Sequence, residues 1–247
     1  MRLRGRKGIR ETIEKQEDLV VMNPAEWKGR WAEWFGNDKP IHVELGMGKG
    51  KFISGMSVLH PEYNFIGVDM YDELIRRASE KARIAAARED GSAPDNLALA
   101  LFNIEHIGDV FAEGELRRIY LNFSDPWPKK KHARRRLTHA GFIEQYMHVL
   151  DRLGEIHFKT DSRSLFEFSL NSFADLNIRL RHISLDLHKD GPAADNVMTE
   201  YESKFYEQQM PIYRLEAVIG PDALAADRER MRKETAASPD TAQTVGS

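Results

Sequence analysis

The segment LNFSDPWPKKKHARRRL, at residues 121–137, combines three kinds of side chain that can do chemistry. An apolar run ends at Asp125, two prolines bracket Trp127, and residues 129–136 hold six lysines and arginines and one histidine. A carboxylate at the end of a buried strand can accept hydrogen bonds or stabilise a developing positive charge. The basic run favours contact with nucleic-acid phosphates over a solvated helix face, because acidic partners at helical spacing are missing.

A second segment, VELGMGKGKFI at residues 43–53, has the glycines of a sharp turn from a strand into a helix. A triphosphate-binding loop would read GxxxxGK[ST], but Phe52 stands where the hydroxyl is required. A dinucleotide fold prefers GxGxxG, whereas the spacing here is GxGxG. S-adenosylmethionine remains, since it has no phosphate, and Gly46 and Gly48 are the predicted cofactor-binding glycines.

Two carboxylates near predicted strand ends suit that cofactor. Glu44 can accept a hydrogen bond from the methionyl ammonium, and Asp69, at the end of FIGVD, can accept from both ribose hydroxyls. Asn103 ends LALALFN, where its amide could meet the adenine edge, although an asparagine that starts a loop fits the spacing equally well. The alternative for each acid is a solvated position at a strand end.

The sequence around Asp125 bears on the nucleophile. Amino-group methyltransferases commonly carry an Asn/Asp-Pro-Pro-Tyr/Phe turn, whereas this chain has SDPWP at residues 124–128. A ring nitrogen with a free lone pair, such as guanine N7, needs no base to remove a proton. We hypothesise that Asp125 positions the base and stabilises the positive charge that develops on it.

The elements that must position these residues alternate between strand and helix. Helical patterns cover residues 51–58, 71–88 and 140–152. The alternation predicts a doubly wound α/β domain, with a mostly parallel sheet and helices on both faces. The predicted strands are residues 41–45, 64–68, 97–102, 118–123 and 155–159. Two later runs, 182–187 and 212–219, could complete a sheet of seven strands.

Composition limits the remaining possibilities. The chain has no cysteine, 41% hydrophobic residues and a formal net charge of -3. We expect no metal site, no membrane segment and a cytoplasmic location. We also expect a basic, mobile arm over residues 1–30, a catalytic domain over 31–222 and a disordered tail over 223–247.

Taken together, these motifs resemble the bacterial tRNA (guanine-N7)-methyltransferase family. The resemblance covers roughly residues 40 to 217, and the start MRLRGRK is also similar. The most specific motif is SDPWPKKKHARRR. The other stretches that match are ELGMGKGKF, GVDMYDELIRRA, FKTDSRSLFEFS and TEYESKFYEQQMPIYRLEA.

The resemblance implies a Rossmann-like class I methyltransferase that methylates N7 of guanine 46 in the variable loop of tRNA. Some relatives are dimers and others monomers, and of the two states the homodimer is favoured. Glu44, Asp69, Asn103 and Asp125 match positions around the cofactor, although relatives often have Glu in place of Asp69 and Asp in place of Asn103. Positions assigned to substrate match Lys129, Asp161, Thr199, Glu200, Tyr201 and Glu202. An RNA-contacting segment matches Lys131, His132, Ala133, Arg134, Arg135 and Arg136.

Three other functions stay open on the residues alone. A dehydrogenase would need a pyrophosphate site, which the GxGxG spacing argues against. A methyltransferase acting on another RNA guanine would share every motif described above. A non-catalytic RNA-binding module would bind tRNA without regard to the cofactor, and the intact pocket acids argue against it.

Overall fold

The structure, a computed structural model, describes residues 8–192 and 196–237. Within these ranges the chain forms one sheet, surrounded by α-helices and short 3-10 segments. The strands are β1 (Val20–Val21), β2 (Ile41–Leu45), β3 (Asn64–Asp69), β4 (Leu97–Leu101), β5 (Leu116–Asn122), β6 (Leu150–Thr160), β7 (Arg179–Ser184) and β8 (Tyr213–Val218). The α-helices are α1 (Ile9–Glu14), α2 (Trp31–Phe35), α3 (Lys51–Leu59), α4 (Asp72–Ala86), α5 (Ile107–Val110), α6 (Ala140–Val149), α7 (Arg163–Asp175), α8 (Glu200–Glu207) and α9 (Pro221–Ala237).

The strand order confirms the predicted doubly wound fold. The described strands lie in the order β1-β4-β3-β2-β5-β6-β8-β7, and only β8 among them runs antiparallel to its neighbours. The seven predicted strands are present, and the two-residue β1 adds an eighth beside β4. Since parallel strands joined by helices end at the same edge, the segments that follow β2, β3, β4 and β5 come together there.

Two apolar cores cover the two faces of the sheet. Residues of α2, α5, α6 and α7 pack on one face, where Trp31 and Tyr146 are fully buried. Residues of α1, α3 and α4 pack on the other face, around Phe65 and Ile75. This second core ends at Tyr120 of β5. On the neighbouring strands the same face carries charged residues, which pair across β5, β6 and β8.

The amino-terminal segment is ordered from residue 8, contrary to the expected mobile arm over residues 1–30. The side chain of Ile13 in α1 is fully buried in the second core, and Val20 of β1 pairs with Leu99 of β4. Apolar burial and backbone hydrogen bonds therefore fix this segment. Residues 1–7 lie outside the described residues.

The carboxyl-terminal segment also differs from the expectation of a disordered tail over residues 223–247. Residues 221–237 form α9, and Asp227 of this helix is almost fully buried. Its carboxylate accepts hydrogen bonds from Arg179 of β7 at 3.1 Å and from Arg230 at 2.9 Å. Residues 238–247 lie outside the described ranges, in which no helix is both long and apolar enough to cross a membrane.

The buried carboxylate of Asp227 should be important for stability. Asp227→Ala leaves the Arg179 guanidinium without its acceptor, so we expect the free energy of unfolding to fall by about 1–3 kcal/mol. Asp222→Ala is the matched control, because Asp222 also pairs with an arginine but at the surface, and it should cost less than about 1 kcal/mol. Urea denaturation of both variants measures the difference. Equal losses would mean that α9 is not held through Asp227.

Candidate active site

A cavity of about 490 Å³ opens at the carboxyl edge of the sheet. It joins four of the residues predicted from sequence, Gly46, Asp69, Asn103 and Asp125, which follow or end four neighbouring strands. Side chains from more distant parts of the chain complete the wall, and these include Trp127, Arg135 and Tyr201. Four of the six predicted cofactor residues therefore share one cavity with Arg135, near the end of the basic run, whereas Glu44 and Gly48 do not line it.

The glycine turn gives the cavity an open floor and allows two helices to approach closely. Gly46 has φ +80°, and a Cβ placed on it would meet no atom within 4 Å. Gly50 has φ +77°, and a Cβ there would lie 2.7 Å from the Cβ of Ala78 in α4. Both positions therefore require glycine, the first because of its left-handed backbone and the second also because of the close contact between α3 and α4.

Glu44 lies beneath this turn and is only 2% exposed. Its Oε1 accepts a hydrogen bond from Nδ2 of Asn122 at 2.9 Å, while Oε2 has no partner among the described residues. Burial raises the pKa of Glu44 to about 8, although the Asn122 hydrogen bond opposes the shift. A buried carboxylate with one unpaired oxygen is suited to receive a cationic donor such as an ammonium group.

Asp69 connects the glycine turn to the start of α4. Its Oδ2 accepts from the backbone N–H of Gly48 at 3.3 Å, and its Oδ1 accepts from that of Tyr71 at 3.2 Å. Burial raises the pKa of Asp69 to about 6, in opposition to these hydrogen bonds. Each carboxylate oxygen can accept a further bond, so Asp69 can still bind two hydroxyl donors.

Asn103 lines the cavity but also forms local hydrogen bonds. Its Oδ1 accepts from the backbone N–H of Glu105 at 3.2 Å, and its Nδ2 donates to the Glu105 carboxylate at 3.1 Å. The side chain therefore caps a short 3-10 segment, Ile104–His106, as the loop interpretation expected. Its predicted contact with adenine stays a prediction.

Asp125 is exposed and lies in a strained turn. Phe123 has φ +52° and Trp127 has φ +40°, values that bulky residues rarely adopt. Such conformations cost about 1–3 kcal/mol each and persist where the surroundings hold them. Arg136 holds this turn, since its guanidinium donates to the carbonyls of Pro126 and Trp127, both at 3.0 Å. The carboxylate of Asp125 is therefore presented on a fixed backbone.

The basic run divides into an exposed part and one buried arginine. Lys130–Arg135 form a 3-10 segment in which Arg135 stacks over Trp127, with 4.9 Å from its Cζ to the ring centre. Within the part of the chain that the structure describes, no carboxylate pairs with the cations of residues 129–135. Arg136 is instead 9% exposed and lies over Phe168, at 4.3 Å. The exposed members are Lys129, Lys130, Lys131, Arg134 and Arg135, while His132 and Ala133 are half-buried.

Of the predicted substrate residues, Tyr201 alone lines the cavity. Thr199 and Glu202 form a capping box at the start of α8, and Glu200 pairs with Lys81 of α4. Glu202 is fully buried and accepts hydrogen bonds at 2.6–2.9 Å, from Lys159, His188 and Asn196. These contacts hold α8 so that Tyr201 faces the cavity.

Lys129 and Asp161 do not line this cavity. Asp161 directly follows β6 and is half-buried, and Lys129 is exposed before the 3-10 segment of the basic run. Their substrate contacts stay predictions.

Ser124 was not predicted as a site residue, but it lines the cavity and its Oγ is buried without a partner among the described residues. Its position next to Asp125 was the available signal. Tyr71, Phe102 and Leu137 also line the wall without having been predicted, because apolar residues near a strand end are indistinguishable from core residues in sequence.

Comparison with known proteins agrees with these observations. A family described as "Putative methyltransferase" matches residues 38–215. Three curated relatives are each named tRNA (guanine-N(7)-)-methyltransferase. The Lactococcus lactis subsp. cremoris (strain MG1363) protein is 49% identical, over 90% of this chain and 99% of its own length. The proteins of Lysinibacillus sphaericus (strain C3-41) and Bacillus subtilis (strain 168) are 47% and 44% identical, over 88% and 87% of this chain and 97% and 98% of theirs.

Solved structures share the fold at low sequence identity. The 16S rRNA methyltransferase KamB superposes with a TM-score of 0.58 at 12% identity, covering 78% of this chain and 94% of its own. The 16S rRNA (adenine(1408)-N(1))-methyltransferase from Catenulisporales acidiphilia gives 0.55 at 19% identity, covering 82% and 95%.

The raised pKa of Glu44 has a consequence for stability. The folded protein keeps this proton up to about pH 8, whereas the unfolded chain releases it near pH 4.5. Stability therefore falls as the pH rises between these values, and the penalty is complete above pH 8. Glu44→Gln removes the cost of ionising this buried group. The free energy of unfolding should therefore rise by about 2–4 kcal/mol at high pH and change little at pH 4 or below.

Urea denaturation of Glu44→Gln at both pH values tests this prediction. Glu113→Gln is the control, because Glu113 is exposed, and it should show no such pH dependence. If Glu44→Gln were less stable than the unaltered protein at high pH, the result would contradict a buried carboxyl group with a raised pKa.

Proposed function

Because the chain belongs to the tRNA (guanine-N(7)-)-methyltransferase family, we propose that its cavity transfers a methyl group from S-adenosylmethionine to N7 of a guanine in tRNA. The observation that carries this proposal is the single cavity in which Asp69 and Asn103 lie with Asp125 and Arg135. The cofactor-binding groups and the RNA-binding surface then both lie beside the carboxylate of Asp125. By the family resemblance, the target is guanine 46 of the variable loop.

The residues present fit the cofactor. S-adenosylmethionine supplies an electrophilic methyl group on a sulfonium centre. The unpaired Oε2 of Glu44 is the acceptor for its ammonium, directly or through water, and binding there favours the ionised carboxylate. Asp69 accepts from the ribose hydroxyls beside the open floor at Gly46, and Asn103 meets the adenine edge.

Asp125 acts on the guanine. Guanine N7 carries a lone pair and loses no proton in the reaction, so no general base is required. When N7 attacks the methyl carbon, the bond from that carbon to sulfur breaks, the sulfonium becomes a neutral thioether and the positive charge passes to the base. The nearby Asp125 carboxylate would stabilise that charge. The strained, clamped turn holds the carboxylate in place before the substrate arrives, so little reorganisation is needed.

Aromatic rings complete the proposed base site. Tyr201 is 60% exposed and lies near Phe123, with 6.4 Å between nearly parallel rings. Its free face can stack on the guanine, since stacking on an aromatic side chain is a common way of holding an unstacked RNA base. Thr199, Glu200 and Glu202 act through the position of α8. The cytoplasmic location and the homodimer stay predictions.

Methylation of an unmodified tRNA transcript with labelled S-adenosylmethionine tests this function. Borohydride–aniline cleavage maps 7-methylguanosine, and we expect cleavage at guanine 46. Asp125→Ala should lower kcat by about 10²-fold or more and leave the melting temperature near that of the unaltered protein. Asp125→Asn keeps an acceptor without the charge, so an equal loss would indicate that the charge matters. Near-normal turnover of Asp125→Ala would overturn the assigned role.

The exposed cations of the basic run should set the salt dependence of tRNA binding. Arg134→Gln removes one cation, so the slope of log K against log salt concentration should become shallower by about 0.7–0.9. Arg152→Gln is the control, because Arg152 is also exposed but lies at the start of β6, at the opposite edge of the sheet. Filter binding between low and physiological salt measures both slopes. An unchanged slope for Arg134→Gln would mean that this side chain touches no phosphate.

A further inference from the structure

A second cavity, of about 260 Å³, lies on the face of the sheet that α3 covers. It is bounded by α3, by residues 187–188 and 196–197, and by β5, β6 and β8. None of its lining residues also lines the methyl-transfer cavity. The proposed function assigns no role to this space, although it adjoins the residues that hold α8.

The wall of this second cavity is rich in cationic and donor groups. Arg118, Lys159 and Arg214 line it, and so do His60, His157 and His188. Among the described residues, no lining side chain is acidic. Asn122 and Asn196 add amide groups. Such a wall is suited to an anion and not to a cation.

Carboxylates that do not line the cavity form hydrogen bonds with its cationic side chains. Glu155 accepts from Arg118 at 3.2 Å and contacts Nε2 of His157 at 3.0 Å. Glu155, His157 and Glu216 lie close enough together to suggest a metal site. Arg181 already bridges the two acids, at 2.6 Å and 2.9 Å. A metal ion there would face a guanidinium, so this cluster serves to fix the cations.

Several donors on the wall have no acceptor among the residues that the structure describes. Nε of Arg118 is buried without a partner, and only Nη2 of Arg214 is hydrogen-bonded within the described residues. His188 is 8% exposed and its Nε2 contacts Glu202 at 2.8 Å, while Nδ1 is buried without a partner. The tautomer with its proton on Nε2 leaves a lone pair on Nδ1, which can accept from the hydroxyl of a monohydrogen phosphate.

We propose that this second cavity is a binding site for a phosphate group, held by Arg118, Arg214 and His188. Unpaired buried donors cost free energy, and a ligand that offers several acceptors removes the cost. A tetrahedral dianion suits a wall that carries two arginines, because guanidinium groups match phosphate oxygens in pairs. The cavity is smaller than those of drug-sized ligands, which favours a phosphate group over a larger ligand. Since Glu202 belongs to α8 and contacts His188, occupancy would also stiffen the support of Tyr201.

Titration of inorganic phosphate into the full-length protein, followed calorimetrically at constant ionic strength in chloride, tests the site. We expect one equivalent to bind. Arg118→Gln should weaken binding by about tenfold or more. Arg117→Gln is the matched control and should bind normally, because Arg117 is the adjacent residue, is similarly exposed (29% against 28%) and pairs with Asp151 outside this cavity.

Two further variants keep the result interpretable. Arg214→Gln removes a different wall donor and should also weaken binding, which provides a test if Arg118→Gln does not fold. Arg134→Gln should leave binding unchanged, because it lies in the exposed basic run. The proposal is overturned if the unaltered protein shows no saturable binding, if both cavity variants bind normally, or if Arg134→Gln abolishes binding.

A competition experiment identifies the source of the phosphate group. If tRNA displaces inorganic phosphate from the unaltered protein and from Arg134→Gln alike, the cavity takes a phosphate of the RNA. If tRNA and phosphate bind together, the ligand is a free phosphate compound. In both cases the phosphate group binds to the same donors of the cavity wall, those of Arg118 and Arg214.

Discussion

The site depends on the burial of Glu44 with one carboxylate oxygen left unpaired. Its other oxygen binds Asn122, which is the cross-strand neighbour of Lys159, and Lys159 in turn pairs with Glu202 of α8. One polar row therefore runs from the floor of the cofactor site to the helix that carries Tyr201. Buried polar groups are costly when one partner is lost. A change at any member of the row should therefore be felt at both ends.

The same polar row explains why one face of the sheet is apolar up to Tyr120 and charged beyond it. The second apolar core ends at Tyr120, and beyond it β5 and β6 place Arg118 opposite Glu155 and Asn122 opposite Lys159. Arg118 finds its carboxylate on the next strand and Lys159 finds one on α8, so the face stays folded without an apolar helix over it. The second cavity is the space that this arrangement leaves beside α3.

The central strands and helices could be predicted because their signals are local: short apolar runs, helical periodicity and a glycine turn. The rule that parallel strands end at one edge then placed Asp69 and Asp125 in the same site. The ordered ends of the chain could not be predicted, since Ile13 and Asp227 are fixed by packing partners far away in sequence. In the same way, nothing near Arg136 in sequence indicated that its guanidinium would bind backbone carbonyls.

The contrast between Arg136 and its neighbours bears on how such a sequence can drift. A phosphate-binding surface tolerates exchange of lysine for arginine and even relocation of a charge, because long-range attraction depends little on where the charge lies. Arg136 has no such freedom, since it satisfies two carbonyls at once with a planar fork that an ammonium group cannot reproduce. Neutral substitutions should therefore accumulate at residues 129–135 and be removed by selection at residue 136, although all the cations of this basic run look alike in sequence.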